Sequence, residues 1–113
     1  MKLLLIGAGN MGGAMLQGLH VKDITVVEAY PPRAEELQAL YPSIKIVSEI
    51  PSLEGYIVIL AIKPQSFGTL HTKGIAEGVI SIMAGVSLEK LKSGIMAKHY
   101  IRSMPNIAAL VRK

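Results

Sequence analysis

The chain has 113 residues, half of them hydrophobic, with twelve Lys and Arg against eight Asp and Glu for a net charge of +4. That length suits a single domain with a modest core, and with four Tyr, one Phe and no Trp the core must be aliphatic, as in parallel sheets covered on both faces. The absence of cysteine excludes disulfides and thiolate metal sites and fits a reducing, cytoplasmic setting.

In chain order, strand and helix alternate. Lys2 to Ile6 is a short apolar run halted at Gly7, a first strand. Met11, Ala14, Met15 and Leu19 fall at helical spacing, predicting a helix over Asn10 to Leu19. Ile24 to Glu28 is a second strand ended by Tyr30-Pro31-Pro32. A helix is expected over Pro32 to Leu40, with proline in its first turn and Glu35 and Glu36 near its positive end. Ile44 to Val47 forms a third strand, and Ser48 to Leu53 a turn or short helix. Tyr56 to Ile62 is the most apolar stretch and reads as a central strand stopped by Lys63-Pro64. One short helix follows over Gln65 to Leu70, then a fifth strand over Gly78 to Met83. Ser87 is suited to cap a helix over Leu88 to Lys92. A sixth strand spans His99 to Ser103, Met104-Pro105-Asn106 turns the chain, and Ile107 to Lys113 begins a helix that simply stops, as a fragment would. Repeated β-α units imply a doubly wound, mostly parallel sheet of about six strands with helices on both faces.

The segment Gly7-Ala8-Gly9-Asn10-Met11-Gly12 lies between the first strand and the first helix. There Gly7 permits the turn off the strand, Gly9 admits a pyrophosphate to the backbone, and Gly12 lets the helix pack on the sheet. The helix end then offers N–H groups and a positive dipole to phosphates. A lone glycine motif also marks ordinary turns, but the strand before it and the helix and strand after it favour a dinucleotide site. Glu28 closes the second strand where an acid accepts from ribose hydroxyls, which favours NADH. Arg33 can instead meet the 2′-phosphate of NADPH or serve as a solvated surface charge, so the cofactor reads as NADPH or NADH.

Three later segments are more specific: Ala61-Ile62-Lys63-Pro64-Gln65, Ser81-Ile82-Met83-Ala84-Gly85-Val86, and Arg102-Ser103-Met104-Pro105-Asn106. With the glycine loop, they closely resemble the N-terminal domain of pyrroline-5-carboxylate reductase across essentially the whole chain. The resemblance implies reduction of the C=N bond of 1-pyrroline-5-carboxylate to proline with NAD(P)H. It implies that Gly7 to Gly12 bind the pyrophosphate, Glu28 to Arg33 the adenosine ribose, and Ser48 the adenine side. Ala61, Ile62, Lys63 and Pro64 would line the cofactor's path, and Ala84, Gly85, Met104, Pro105 and Asn106 would face the nicotinamide. It further implies a helical domain, not in this chain, that makes a homo-oligomer and supplies the substrate site, so residues 1–113 would bind cofactor but turn over little.

Other functions find less support. Lys63 reads as a cation near the cofactor or a strand stop rather than a catalytic base, because no acid or His neighbours it in sequence. Asn106 suits a hydrogen bond to nicotinamide or a helix cap equally. His20, His71 and His99 lack metal-ligand spacing, and no set of residues suits nucleophilic hydrolysis. Scattered Lys and Arg argue against a nucleic-acid partner, and no apolar run reaches membrane-spanning length or forms a signal peptide. A β-hydroxyacid dehydrogenase and a non-catalytic nucleotide sensor are the alternatives. The A-G-V and M-P-N segments argue against the former, and a coding sequence ending at Lys113 would favour the latter.

Overall fold

A computed structural model describes residues 2–7, 24–83 and 85–102. Its strands are β1 (Lys2–Ile6), β2 (Ile24–Val27), β3 (Lys45–Val47), β4 (Tyr56–Leu60), β5 (Gly78–Ser81) and β6 (Tyr100–Arg102). They form one sheet in the order β3-β2-β1-β4-β5-β6, and every pairing is parallel. Each strand anticipated from apolar runs is present. β2, β4 and β5 stop earlier than expected, with Glu28, Ala61 and Ile82 just past their last paired residues, and β3 and β6 start one residue later. The helix expected over Asn10 to Leu19 and the segment from Ser103 onward lie outside the described residues.

Two faces of the sheet carry separate cores. Leu4, Ile6, Val58, Leu60 and Val79 point to one face; Leu3, Leu5, Val26 and Ile59 point to the other. The alternation follows from the two-residue period of a strand. Leu4 and Leu5 of β1 are both fully buried, as expected of a central parallel strand covered on both sides.

Helix α1 (Pro31–Leu40) joins β2 to β3 and buries Leu37 in the second core. Pro31 stands at its first position, where a fixed φ suits the helix and the missing N–H forfeits no internal bond. The helix ends at Tyr41, before Pro42, where proline disfavours helical backbone in its predecessor. Gln38 Nε2 then donates to the Ile44 carbonyl at 3.1 Å, tying the helix to the entry of β3. Starting the helix at Pro31 corrects one expectation. Glu35 and Glu36 fall beyond its first turn, where the dipole has weakened, and Glu36 instead pairs with Arg33 at 2.6 Å.

On the opposite face, α2 (Leu88–Gly94) buries Leu91 in the first core, so helices do cover both faces. The Ser87 hydroxyl caps it, accepting from the Lys90 N–H at 3.1 Å. Between β4 and β5 the expected short helix is a 3-10 helix, Pro64–Thr69, whose Phe67 is buried. Phe67 lies over Gly94, where a methyl group would come within 2.5 Å of its ring. Six residues and one large anchor suffice for this crossover. Ser48 to Leu53 forms bends rather than a helix; it is fixed by burial of Leu53, whose N–H donates to the Lys73 carbonyl at 2.9 Å.

Candidate functional site

Because all six strands run the same way, their carboxyl ends share one edge. The register aligns Val47, Val27, Ile6, Leu60, Ser81 and Arg102 in a single row across the sheet. The next residues along the chain form the rim above that row: Ser48, Glu28, Gly7, Ala61 and Ile82. Five segments assigned to a ligand from sequence therefore reach the same edge: Gly7, Glu28, Ser48, Ala61 to Pro64, and Gly85 beyond β5. The chain runs from β1 outward to β3, then returns to β4 on the other side of β1. That reversal makes the β1–β4 seam a topological switch point, where crevices open in sheets of this kind.

The seam is very close. Gly7 has φ +94°, and a Cβ there would lie 2.8 Å from Ile62 Cγ2 and 2.9 Å from the Ala61 carbonyl carbon and oxygen. No side chain fits between the exits of β1 and β4, and L-residues rarely adopt that φ. The Ala61 N–H donates to the Ile6 carbonyl at 2.9 Å, which carries the ladder one residue beyond β4 and fixes the approach. Ala61 and Ile62 are half-buried, Lys63 is exposed, and Pro64 opens the 3-10 helix.

At the exit of β2, the Glu28 N–H donates to the Val47 carbonyl at 2.8 Å. The Glu28 carboxylate accepts from the Tyr30 N–H at 3.0 Å. The acid is thus tied at its backbone and again at its side chain. Arg33, on the first turn of α1, is engaged by Glu36. Ser48 is exposed at the exit of β3.

At the exit of β5, the Ser81 hydroxyl is buried and accepts from the Met83 N–H at 3.2 Å. This turn sends Met83 and Val86 into the core and leaves Gly85 exposed on the rim. Gly85 has φ +75°, and nothing lies within 4 Å of where its Cβ would stand.

Ala8, Gly9, Asn10, Met11, Gly12, Ala84, Met104, Pro105 and Asn106 lie outside the described residues, so their part in the site stays an expectation. Two contributors escaped the sequence reading, the Tyr30 N–H and the Ser81 hydroxyl. The Glu-x-Tyr-Pro-Pro spacing hints at the first, as an acid two residues before a strand-ending turn. Nothing in the sequence marks the second, since a serine in a strand does not declare which N–H it will meet.

An apolar groove lined by Ile57, Ile80 and Ile101, with Glu77 and His99 at its border, lies on the second-core face over β4 to β6. It opens on a face of the sheet, not at the β1–β4 seam. Among the described residues, no group of three or more His, Asp or Glu could hold a metal ion, and no helix is long and apolar enough to cross a membrane.

Residues 2–85 match the family model described as NADP oxidoreductase, coenzyme F420-dependent. The chain is 31% identical over 115 residues to the pyrroline-5-carboxylate reductase of Helicobacter pylori strain J99, covering 95% of this chain and 45% of that protein. Against the same-named protein of Methanosarcina acetivorans the identity is 35% over 123 residues, covering 97% and 46%. The crystal structure of 1-pyrroline-5-carboxylate reductase from Streptococcus pyogenes aligns with a TM-score of 0.75 and 29% identity, over 98% of this chain and 45% of that one. The chain thus spans less than half the length of the relatives it matches.

Proposed function

Because the chain belongs to the family described as NADP oxidoreductase, coenzyme F420-dependent, we propose that it is the dinucleotide-binding part of a reductase acting on the C=N bond of 1-pyrroline-5-carboxylate. The observation that carries this reading is the seam at Gly7. A turn that only glycine can make leads off β1 at the switch point, on the carboxyl edge beside which such sheets receive a pyrophosphate. Farther along the rim, at the place proposed for the nicotinamide, Gly85 also has positive φ but stands in open space. The substrate is the one named for the pyrroline-5-carboxylate reductases that this chain resembles.

When bound, a reduced nicotinamide supplies the hydride. Its transfer to the imine carbon, with a proton added at nitrogen, would give proline. This chain's own task is placement. Glu28 accepts from the adenosine ribose, Ser48 borders the adenine, and Ala61 to Pro64 guide the middle of the cofactor. Gly85, with Ala84, Met104, Pro105 and Asn106, leaves room for two flat reactants to meet face to face. Holding reactants in contact supplies much of the acceleration such a transfer needs. Among the described residues the rim carries no acid–base pair, so we assign the proton donor and the substrate-carboxylate site to residues beyond these 113.

The test is to titrate the chain with NADH and NADPH, then add 1-pyrroline-5-carboxylate. Saturable binding with little proline formed is the expected result. Absence of binding to either cofactor contradicts the dinucleotide assignment. Rapid proline formation contradicts the placement of the remaining groups elsewhere.

A further inference from the structure

We propose that the turn from Glu28 to Pro32 selects an unphosphorylated ribose, so that this chain binds NADH in preference to NADPH; the inference rests on the dinucleotide reading above. The family description names NADP, and the residues of this chain at the exit of β2 point the other way.

Charge and geometry both bear on the choice. An acid at the end of the second strand accepts from the free 2′-hydroxyl and repels a phosphate there. Here the acid is held ready. Its backbone is fixed by the Val47 carbonyl and its carboxylate by the Tyr30 N–H. Swinging away to admit a phosphate would forfeit the hydrogen bond to Tyr30.

Of the backbone donors that would welcome a 2′-phosphate, two are missing and one is engaged, and the Arg33 charge is partly offset by Glu36. Tyr30 spends its N–H on Glu28. Pro31 and Pro32, at the first two positions of α1, have no N–H at all, so this helix end lacks two of the donors that make other helix ends anion sites. Arg33 is drawn along its own helix to Glu36 at 2.6 Å. Glu49, two residues past β3 on the neighbouring strand exit, is a further exposed acid on this half of the sheet.

The size of the effect follows from Coulomb's law. A carboxylate about 6 Å from a phosphate bearing nearly two negative charges weakens binding roughly tenfold even in water's dielectric. The repulsion should shrink with added salt, whereas loss of packing or of the fold would not respond in that way.

Calorimetric titration of the 113-residue chain with NADH and with NADPH, at low and high salt, tests this, with Glu28→Gln beside it. Gln keeps an oxygen for the Tyr30 N–H and removes the charge. The expected result is about tenfold or greater preference for NADH, narrowing at high salt. In Glu28→Gln the gap should close mainly through tighter NADPH binding. Equal affinities in the unmodified chain, tighter NADPH, or a ratio unchanged by Glu28→Gln overturns the selectivity while leaving the dinucleotide site in place. Failure to bind either cofactor removes the site itself, and the selectivity with it.

Discussion

The β1–β3 half of the sheet offers its carboxyl edge a charged side chain on a turn stiffened by two prolines. The β4–β6 half offers small residues and bare backbone: Ala61, the turn held by the inward Ser81 hydroxyl, and Gly85. In the first half Glu28 projects chemistry onto the rim. In the second, the Ser81 hydroxyl faces inward and Gly85 leaves open space at the rim beyond β5. A ligand spanning both halves would be discriminated by charge at one end and admitted by space at the other. Changes of charge should therefore matter on the first half, and changes of volume on the second, with the seam at Gly7 sensitive to both fold and binding.

The seam should give the largest effect. Gly7→Ala combines backbone strain of about 1–3 kcal/mol with overpacking of similar size against Ala61 and Ile62. A domain of this length has only about 5–15 kcal/mol to lose. Thermal denaturation should show a fall of many degrees or outright unfolding. Gly55→Ala is the control, because Gly55 also has positive φ (+81°) but its added methyl would meet nothing closer than Lys2 Nζ at 3.7 Å. If both variants lose the same stability, the tight approach of the two strand exits is not what Gly7 serves.

Ser81→Ala probes the inward-facing half next. It leaves the buried Met83 N–H without its acceptor, at a cost of about 1–3 kcal/mol. The turn that displays Gly85 should loosen, with faster hydrogen exchange at Met83 and Val86. Unchanged stability would show that the hydroxyl does not hold this turn.

Gly85→Asn should have the smallest effect on the fold and a clear effect on binding. Asn tolerates positive φ better than most residues, and open space surrounds the position. Stability should fall by about 1 kcal/mol or less, while dinucleotide affinity drops because the rim is filled. An unchanged affinity would contradict the idea that the β4–β6 half works by leaving room.

Much of this arrangement was legible in the sequence, for reasons that differ by region. Apolar runs such as YIVILAI mark buried strands directly, and parallel pairing then forces all exits to one edge. Glu28 could be placed on that edge from its position after Ile24 to Val27 alone. Helix details were harder. Proline at the first helical position moved the start of α1 to Pro31 and carried Glu35 and Glu36 past the region where the dipole acts. The crossover anchored by Phe67 tightened to a 3-10 helix, and Ser48 to Leu53 stayed irregular because a single buried leucine fixes it. The turn at Ser81 depends on a hydroxyl meeting an N–H two residues on, a pairing that residue type does not announce. The match between Glu28 and the Tyr30 N–H likewise appears only once the turn is built.

Binding along the carboxyl edge can be followed directly by recording backbone amide shifts of the chain during titration with NADH. Saturable changes concentrated at Gly7, Glu28, Ala61, Ile62 and Gly85, with Ile57, Ile80 and Ile101 quiet, are what a dinucleotide spanning both halves of the rim would produce. Changes confined to the apolar groove at Ile57, Ile80 and Ile101, or none that saturate, would contradict it.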